Sequence, residues 1–145
     1  MPVVLVDTNV WVSALINPRG FPARLKDAWL EGRFDVVVSL PLLEEIADVL
    51  TRPRIQNKYK LRDNDIEELL RLLQERARHA ELTGEVHLCR DPDDDLVLET
   101  ALVGGAQVLV SRDDDLKDDA DLITQMQING VRVLSVQHFL DWLDQ

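Results

Sequence analysis

Short runs rich in Val and Leu, separated by segments with helical spacing, constrain this chain more than any other feature. Residues 3–6, 36–38, 85–88, 108–110 and 131–136 form these runs. Most lack the polar alternation of a half-solvated strand, so they read as strands buried on both faces. Between them, residues 9–17 read as a helix ending at Asn17-Pro18 and Gly20. Pro22 opens a helix over 22–32, in the first turn where its missing N–H costs nothing, and Gly32 stops it. Ser39 caps a helix to about residue 51, broken by Arg52-Pro53. Asp65 and Glu68 resemble a capping box ahead of a long helix whose Ile66, Leu69, Leu70, Leu73 and Ala77 share one face. Helices are also expected at 94–104, ending on Gly104-Gly105, at 119–128 and at 137–143. Strands alternating with helices imply an α/β fold, its parallel sheet covered on both faces. No repeat, low-complexity stretch or linker interrupts the 145 residues, which suit one domain, 1–145, with a full core.

Sheets of this kind bind ligands beyond the carboxyl ends of their strands. Asp7 closes the first run, with Thr8 and Asn9 after it. A carboxylate at the tip of a buried strand is costly without a partner, and no Lys or Arg stands within the motif. A divalent cation would serve. Asp91 to Asp95 follow the third run and Asp113 to Asp115 the fourth, so three acidic clusters converge on one sheet edge. Along the 94–104 helix, Asp94 shares its face with Val97, Leu98, Ala101 and Leu102 and heads the apolar stripe. Asp95 lies a quarter turn away, at the stripe's edge. N-capping accounts for one Asp here and not three. Asp113 comes directly after its strand, Asp115 is next best placed, and Asp114 faces water. Glu45 sits at the margin of the apolar face of the 39–51 helix.

Energetics favour a cation. Two carboxylates about 4 Å apart repel by about 4 kcal/mol at an effective dielectric of 20. Four in one pocket either take up protons or bind cations. Oxygen-only ligands select Mg²⁺ or Mn²⁺, and such ions activate water and stabilise a leaving oxygen. The expected chemistry is phosphodiester hydrolysis.

A net charge of −11 argues at first against a nucleic-acid partner. Its distribution argues otherwise. Residues 89–121 hold 11 Asp and Glu against Arg90, Arg112 and Lys117, a local balance of −8, and the rest of the chain carries only −3. Arg52, Arg54, Lys58, Lys60 and Arg62 form a basic patch, a candidate phosphate-tracking surface with Tyr59 placed to stack a base. His79, His87 and His138 are scattered, and no GxSxG, P-loop or GxGxxG is present. Cys89, the sole cysteine, excludes an internal disulfide and reads as a structural thiol. The opening MPVVLVDTNV has no basic n-region and no apolar run reaches membrane-spanning length, so a soluble cytoplasmic protein is expected.

These residues resemble the PIN-domain family, particularly the toxin-like branch of prokaryotic toxin–antitoxin systems. The resemblance runs through VLVDTNVWVSAL at 4–15, LLEEIADVLTRP at 42–53, CRDPDDDLVLETALVGGA at 89–106, VLVSRDDDL and the closing VRVLSVQHFL. It implies a Rossmann-like three-layer α/β/α sandwich around a mainly parallel sheet, and a Mg²⁺-dependent ribonuclease. By motif, the acidic quartet falls on Asp7, Glu45, Asp94 and Asp113, with Asp115 a further metal ligand. Thr8, Asn9, Asp95 and Ser111 would support it. Arg112 and Asp114 depart from the small and basic residues common in this branch. The resemblance further implies a homodimer and a small antitoxin partner; Trp11, Trp29 and Trp142 are candidate interface anchors, although aromatic residues more often belong to the core.

Two other functions compete. A phosphoacceptor signalling domain would need a Lys after the last strand, where Gln137 and His138 stand. A non-catalytic binding module would be marked by missing carboxylates, and none is missing.

Overall fold

In a computed structural model that describes residues 1–112 and 119–145, β1 (Val3–Val6) is buried at all four positions. Its side chains alternate between two cores. Val4 and Val6 join Trp11, Ile46, Leu73 and Phe139, whereas Val3 and Leu5 join Leu98, Leu109 and Met126. A strand covered on both sides needs an unbroken apolar run, and each buried Val or Leu stabilises by roughly 1.5–3 kcal/mol.

The elements that follow are α1 (Thr8–Ile16), α2 (Phe21–Leu30), β2 (Asp35–Val38), α3 (Leu40–Thr51), α4 (Pro53–Tyr59), α5 (Asp63–Arg76) and β3 (Arg78–His79). Then come α6 (Pro92–Gly104), β4 (Val108–Ser111), α7 (Ala120–Ile128), β5 (Arg132–Ser135) and α8 (Val136–Leu143). Among the described residues five strands lie in the order β3-β2-β1-β4-β5, and each of their pairings is parallel. Helices α1, α2, α3, α5 and α8 supply the first core; α6 and α7, with Leu42 of α3, supply the second. This is the expected α/β sandwich. Among the described residues no helix is long and apolar enough to cross a membrane.

Helix α6 packs very closely on the sheet. A Cβ at Gly104 would stand 2.2 Å from Val37 Cγ2, so a glycine is required there for contact rather than for turn geometry.

Several local expectations change. Residues 85–88 are not a strand. The third strand is β3, two exposed residues paired with Val37 and Val38 at the sheet edge; Arg78 and His79 carry no hydrophobic signal, so pairing alone defines them. Helix α5 begins at Asp63 with Arg62 as its N-cap, so Asp65 lies in the first turn and does not cap. Ser39 is the N-cap of α3, but its hydroxyl makes no capping bond. It pairs instead with Thr100 Oγ1 at 2.8 Å, tying α3 to α6 inside the core. Helix α4 was not anticipated and buries none of its residues. Trp11 and Trp29 are buried and stack edge to face at 5.4 Å, while Trp142 packs on Phe139 at 5.9 Å. The first two tryptophans therefore belong to the core and cannot anchor an interface.

Candidate active site

Strand β1 lies between β2 and β4, and the connections leave it in opposite directions, which opens a crevice beyond the carboxyl ends of β1 and β4. Asp7 stands there. It is the N-cap residue of α1, yet its side chain makes no capping bond. Its N–H donates to the Val110 carbonyl (2.9 Å), and Ser111 Oγ donates to its Oδ2 (3.2 Å). Ser111 thus reaches across the switch point to orient the carboxylate. The next residue, Thr8, is buried, and its hydroxyl donates to Glu45 Oε2 (3.0 Å). One corner of the fold therefore links β1, β4 and α3. Asn9 is exposed beside it.

Asp7, Ser111 and Asp119 line a crevice of about 10 Å³, with Val97, Leu109, Leu122, Ile123 and Val133 as its apolar wall. That is space on the order of a single water.

Helix α6 sorts its acids. Asp91 does the capping, its side chain accepting from the Asp93 N–H (2.9 Å). Asp94 is half-buried, and its carboxyl is pushed up to about 6, first by burial and then by the charges of Asp119, Asp91, Asp121 and Asp93. Asp95, 7% exposed, accepts from the Leu88 and Cys89 N–H groups (3.0 and 2.7 Å). The Cys89 bond above all holds its carboxyl below the ordinary range. Glu99, 2% exposed, accepts from Thr83 N (2.6 Å), Thr83 Oγ1 (3.1 Å) and Gly84 N (3.0 Å). These two acids bind the 83–89 backbone to α6, which is why that segment does not join the sheet. Cys89, half-buried against them, has its thiol pushed up to about 12 by burial and by Asp95, Asp121 and Asp94.

The buried stripe of α6 thus runs through Asp95, Leu98, Glu99 and Ala101, and Asp94 sits beside it rather than at its head. Apolar periodicity misplaces the stripe because two of its members are hydrogen-bonded acids. Glu45 is exposed and, with Pro41, Leu42, Arg52, Asp93 and Leu96, lines a second groove of about 260 Å³. The five basic residues of the patch are all exposed. Arg52 is paired with Asp48 (2.7 Å) and Arg62 with Asp65 (3.4 Å), and Lys58 lies over the Tyr59 ring at 5.2 Å.

Sequence reasoning missed Asp119, which joins Asp7 in the crevice. Its signal was present, since a helix was expected from 119 and Asp119 stands at the N-cap of α7, but the acidic residues weighed after the fourth run were Asp113 to Asp115. Asp113 and Asp115 lie outside the described residues. As to a metal, the donors are all hard oxygens, which fits Mg²⁺ or Mn²⁺. Among the described residues, however, no three acidic, His or Cys side chains are arranged to hold an ion by themselves.

Comparison with known proteins gives three findings. The sequence profile of the PIN domain matches residues 3–115. An uncharacterized protein of Methanocaldococcus jannaschii is 29% identical over 130 residues, covering 90% of this chain and 83% of that protein. The crystal structure of FitAcB from Neisseria gonorrhoeae superposes with a TM-score of 0.56 at 16% identity, over 93% of this chain and 99% of that one. At that identity the likeness is one of fold.

Proposed function

The chain belongs to the PIN-domain family, whose members are in general nucleases, and from this membership we propose that it is a Mg²⁺- or Mn²⁺-dependent ribonuclease. Its catalytic carboxylates are Asp7, Glu45, Asp94 and Asp113, and Asp7, Asp94, Asp113 and Asp115 hold the ion. The observation that carries this reading is the crevice at the switch point, which Asp7, oriented by Ser111, lines together with Asp119.

A bound ion would polarise a phosphoryl oxygen and lower the pKa of a coordinated water. The chain supplies the rest. Ser111 donates to Asp7 Oδ2 and so fixes the orientation of that carboxylate. Thr8 orients Glu45 on the neighbouring helix, so that Glu45 can take a proton from an attacking water. Asp94, pushed up to about 6, would be eased into its charged form by a bound cation that offset its acidic neighbours. Asp95 supports Asp94 from the side by anchoring the loop ahead of α6. Asn9, exposed at the start of α1, borders the same corner.

In this reading the protein is a single-domain cytoplasmic enzyme, the toxin of a toxin–antitoxin pair, homodimeric and restrained by a small antitoxin. The fold shared with FitAcB and the family sequence motifs support it. The test is Mg²⁺-stimulated cleavage of RNA by purified protein, with Asp7→Asn and Asp94→Asn as variants. Both substitutions are expected to abolish cleavage while circular dichroism stays native. Full cleavage by both variants overturns the proposal.

A further inference from the structure

The groove lined by Glu45 and Arg52 carries the reading from chemistry to substrate approach. We propose that a single RNA strand reaches the carboxylates along this groove between α3 and α6, with the Arg52 guanidinium as the phosphate contact nearest the site. The inference rests on the ribonuclease reading.

Glu45 and Arg52 are seven residues apart, close to two helical turns, which places them on one side of α3 about 10 Å apart. Both line the same open groove of about 260 Å³, whose opposite wall is Asp93 and Leu96 of α6. At one end of it, then, is a carboxylate of the proposed site, and at the other a guanidinium. Asp48 accepts from Arg52 Nε (3.3 Å) and Nη2 (2.7 Å). That engages two of the five guanidinium donors and sets the plane of the group.

The chain beyond Arg52 extends the track. From residue 49 to 62 there is no acidic residue, although the protein carries −11. Arg54, Lys58, Lys60 and Arg62 are all exposed on or next to α4, which contributes no buried residue. A surface helix with this charge in so acidic a chain fits a polyanion, and the half-open Tyr59 ring offers a face on which a base can stack. A base of a single strand is free to swing onto that ring, whereas the bases of a duplex stay in their own stack. The carboxylates at its inner end repel phosphate until a cation offsets them, so the strand engages fully only with the ion present.

An exposed pair such as Arg52–Asp48 adds little to stability, so its removal should leave the fold intact. The experiment measures binding of a fluorescein-labelled oligouridine in Mg²⁺, in a Glu45→Gln background that spares the strand and keeps the proposed ion ligands, and steady-state cleavage in the otherwise native protein. Adding Arg52→Ala should weaken binding about tenfold and flatten the dependence of log K on log salt by about 0.7. In the cleavage assay the loss should fall on KM. Arg52→Lys should recover part of it, and Arg71→Ala, which breaks an exposed ion pair on α5, should change nothing. Unchanged binding and KM in Arg52→Ala, or duplex bound as tightly as single strand, overturns the groove while wild-type cleavage leaves the ribonuclease reading standing. Arg52-dependent binding by a protein that cleaves no RNA with any ion supports the groove and overturns the reading it rests on.

Discussion

Asp94 and Asp95 are neighbours in the first turn of α6, yet they end in opposite states. Asp95 turns inward, meets two backbone N–H groups and ionises more easily than an ordinary aspartate. Asp94 faces Asp119, Asp91, Asp121 and Asp93, and burial and their charges make it ionise with difficulty. Glu99, one turn further along, likewise accepts hydrogen bonds, from three donors. The acid that has found donors is spent on holding the chain together, whereas the acid left among its own kind is available to a cation. What separates structural from functional carboxylates here is the supply of donors.

Substitution tests this contrast most strongly at Asp94. Asp94→Asn should reduce Mg²⁺-stimulated cleavage by at least about 100-fold, while thermal unfolding at pH 7 in chelator shows equal or higher stability. Retained cleavage would remove Asp94 from the functional class. Glu99→Ala should do the converse, lowering the unfolding free energy by roughly 2–4 kcal/mol as three donors lose their acceptor. A urea midpoint unchanged from wild type would break the comparison from the structural side.

Titration sharpens it. With Asp94 raised to about 6 in the fold, the native state holds a proton that the unfolded chain has released, so this group's contribution to stability falls as pH rises from about 4 to about 6. Asp95, lowered in the fold, acts oppositely: its contribution is present above the unfolded value of about 4 and is lost as pH falls through the folded one. Carboxyl carbon shifts in metal-free protein, followed by NMR from pH 2 to 8, should show the two midpoints on opposite sides of about 4, and coincident midpoints would remove the distinction. The smallest effect is at Cys89, which touches both environments. A thiol held up to about 12 should react with iodoacetamide at pH 8 far more slowly than free cysteine, and alkylation at the free-cysteine rate would contradict its acidic surroundings.

Much of the fold was legible. The run at 3–6 became the central strand, buried on both faces, because an apolar run without alternation has few other stable placements. Asp7 was legible for the same reason, since its position follows from the strand's end. Less could be read where hydrogen bonding or pairing overrides hydrophobic pattern. Val86 and Leu88 suggested a strand, but Asp95 and Glu99 claim the surrounding backbone. Arg78 and His79 suggested nothing, yet their place beside β2 makes them one. Asp119 was hidden inside an acidic stretch whose members look alike until the chain turns at α7.

The sequence by itself determined the α/β class, the parallel sheet and the strand tip that bears Asp7, since apolar periodicity records which surfaces leave water and burial dominates folding energetics. Only the tertiary structure decided which acids are satisfied by donors and which are left among like charges. That depends on N–H groups and carboxylates brought together from distant parts of the chain, as when Ser111 meets Asp7 and Thr8 meets Glu45, and the strength of such contacts is set by distance and local dielectric, which no residue carries in its own type.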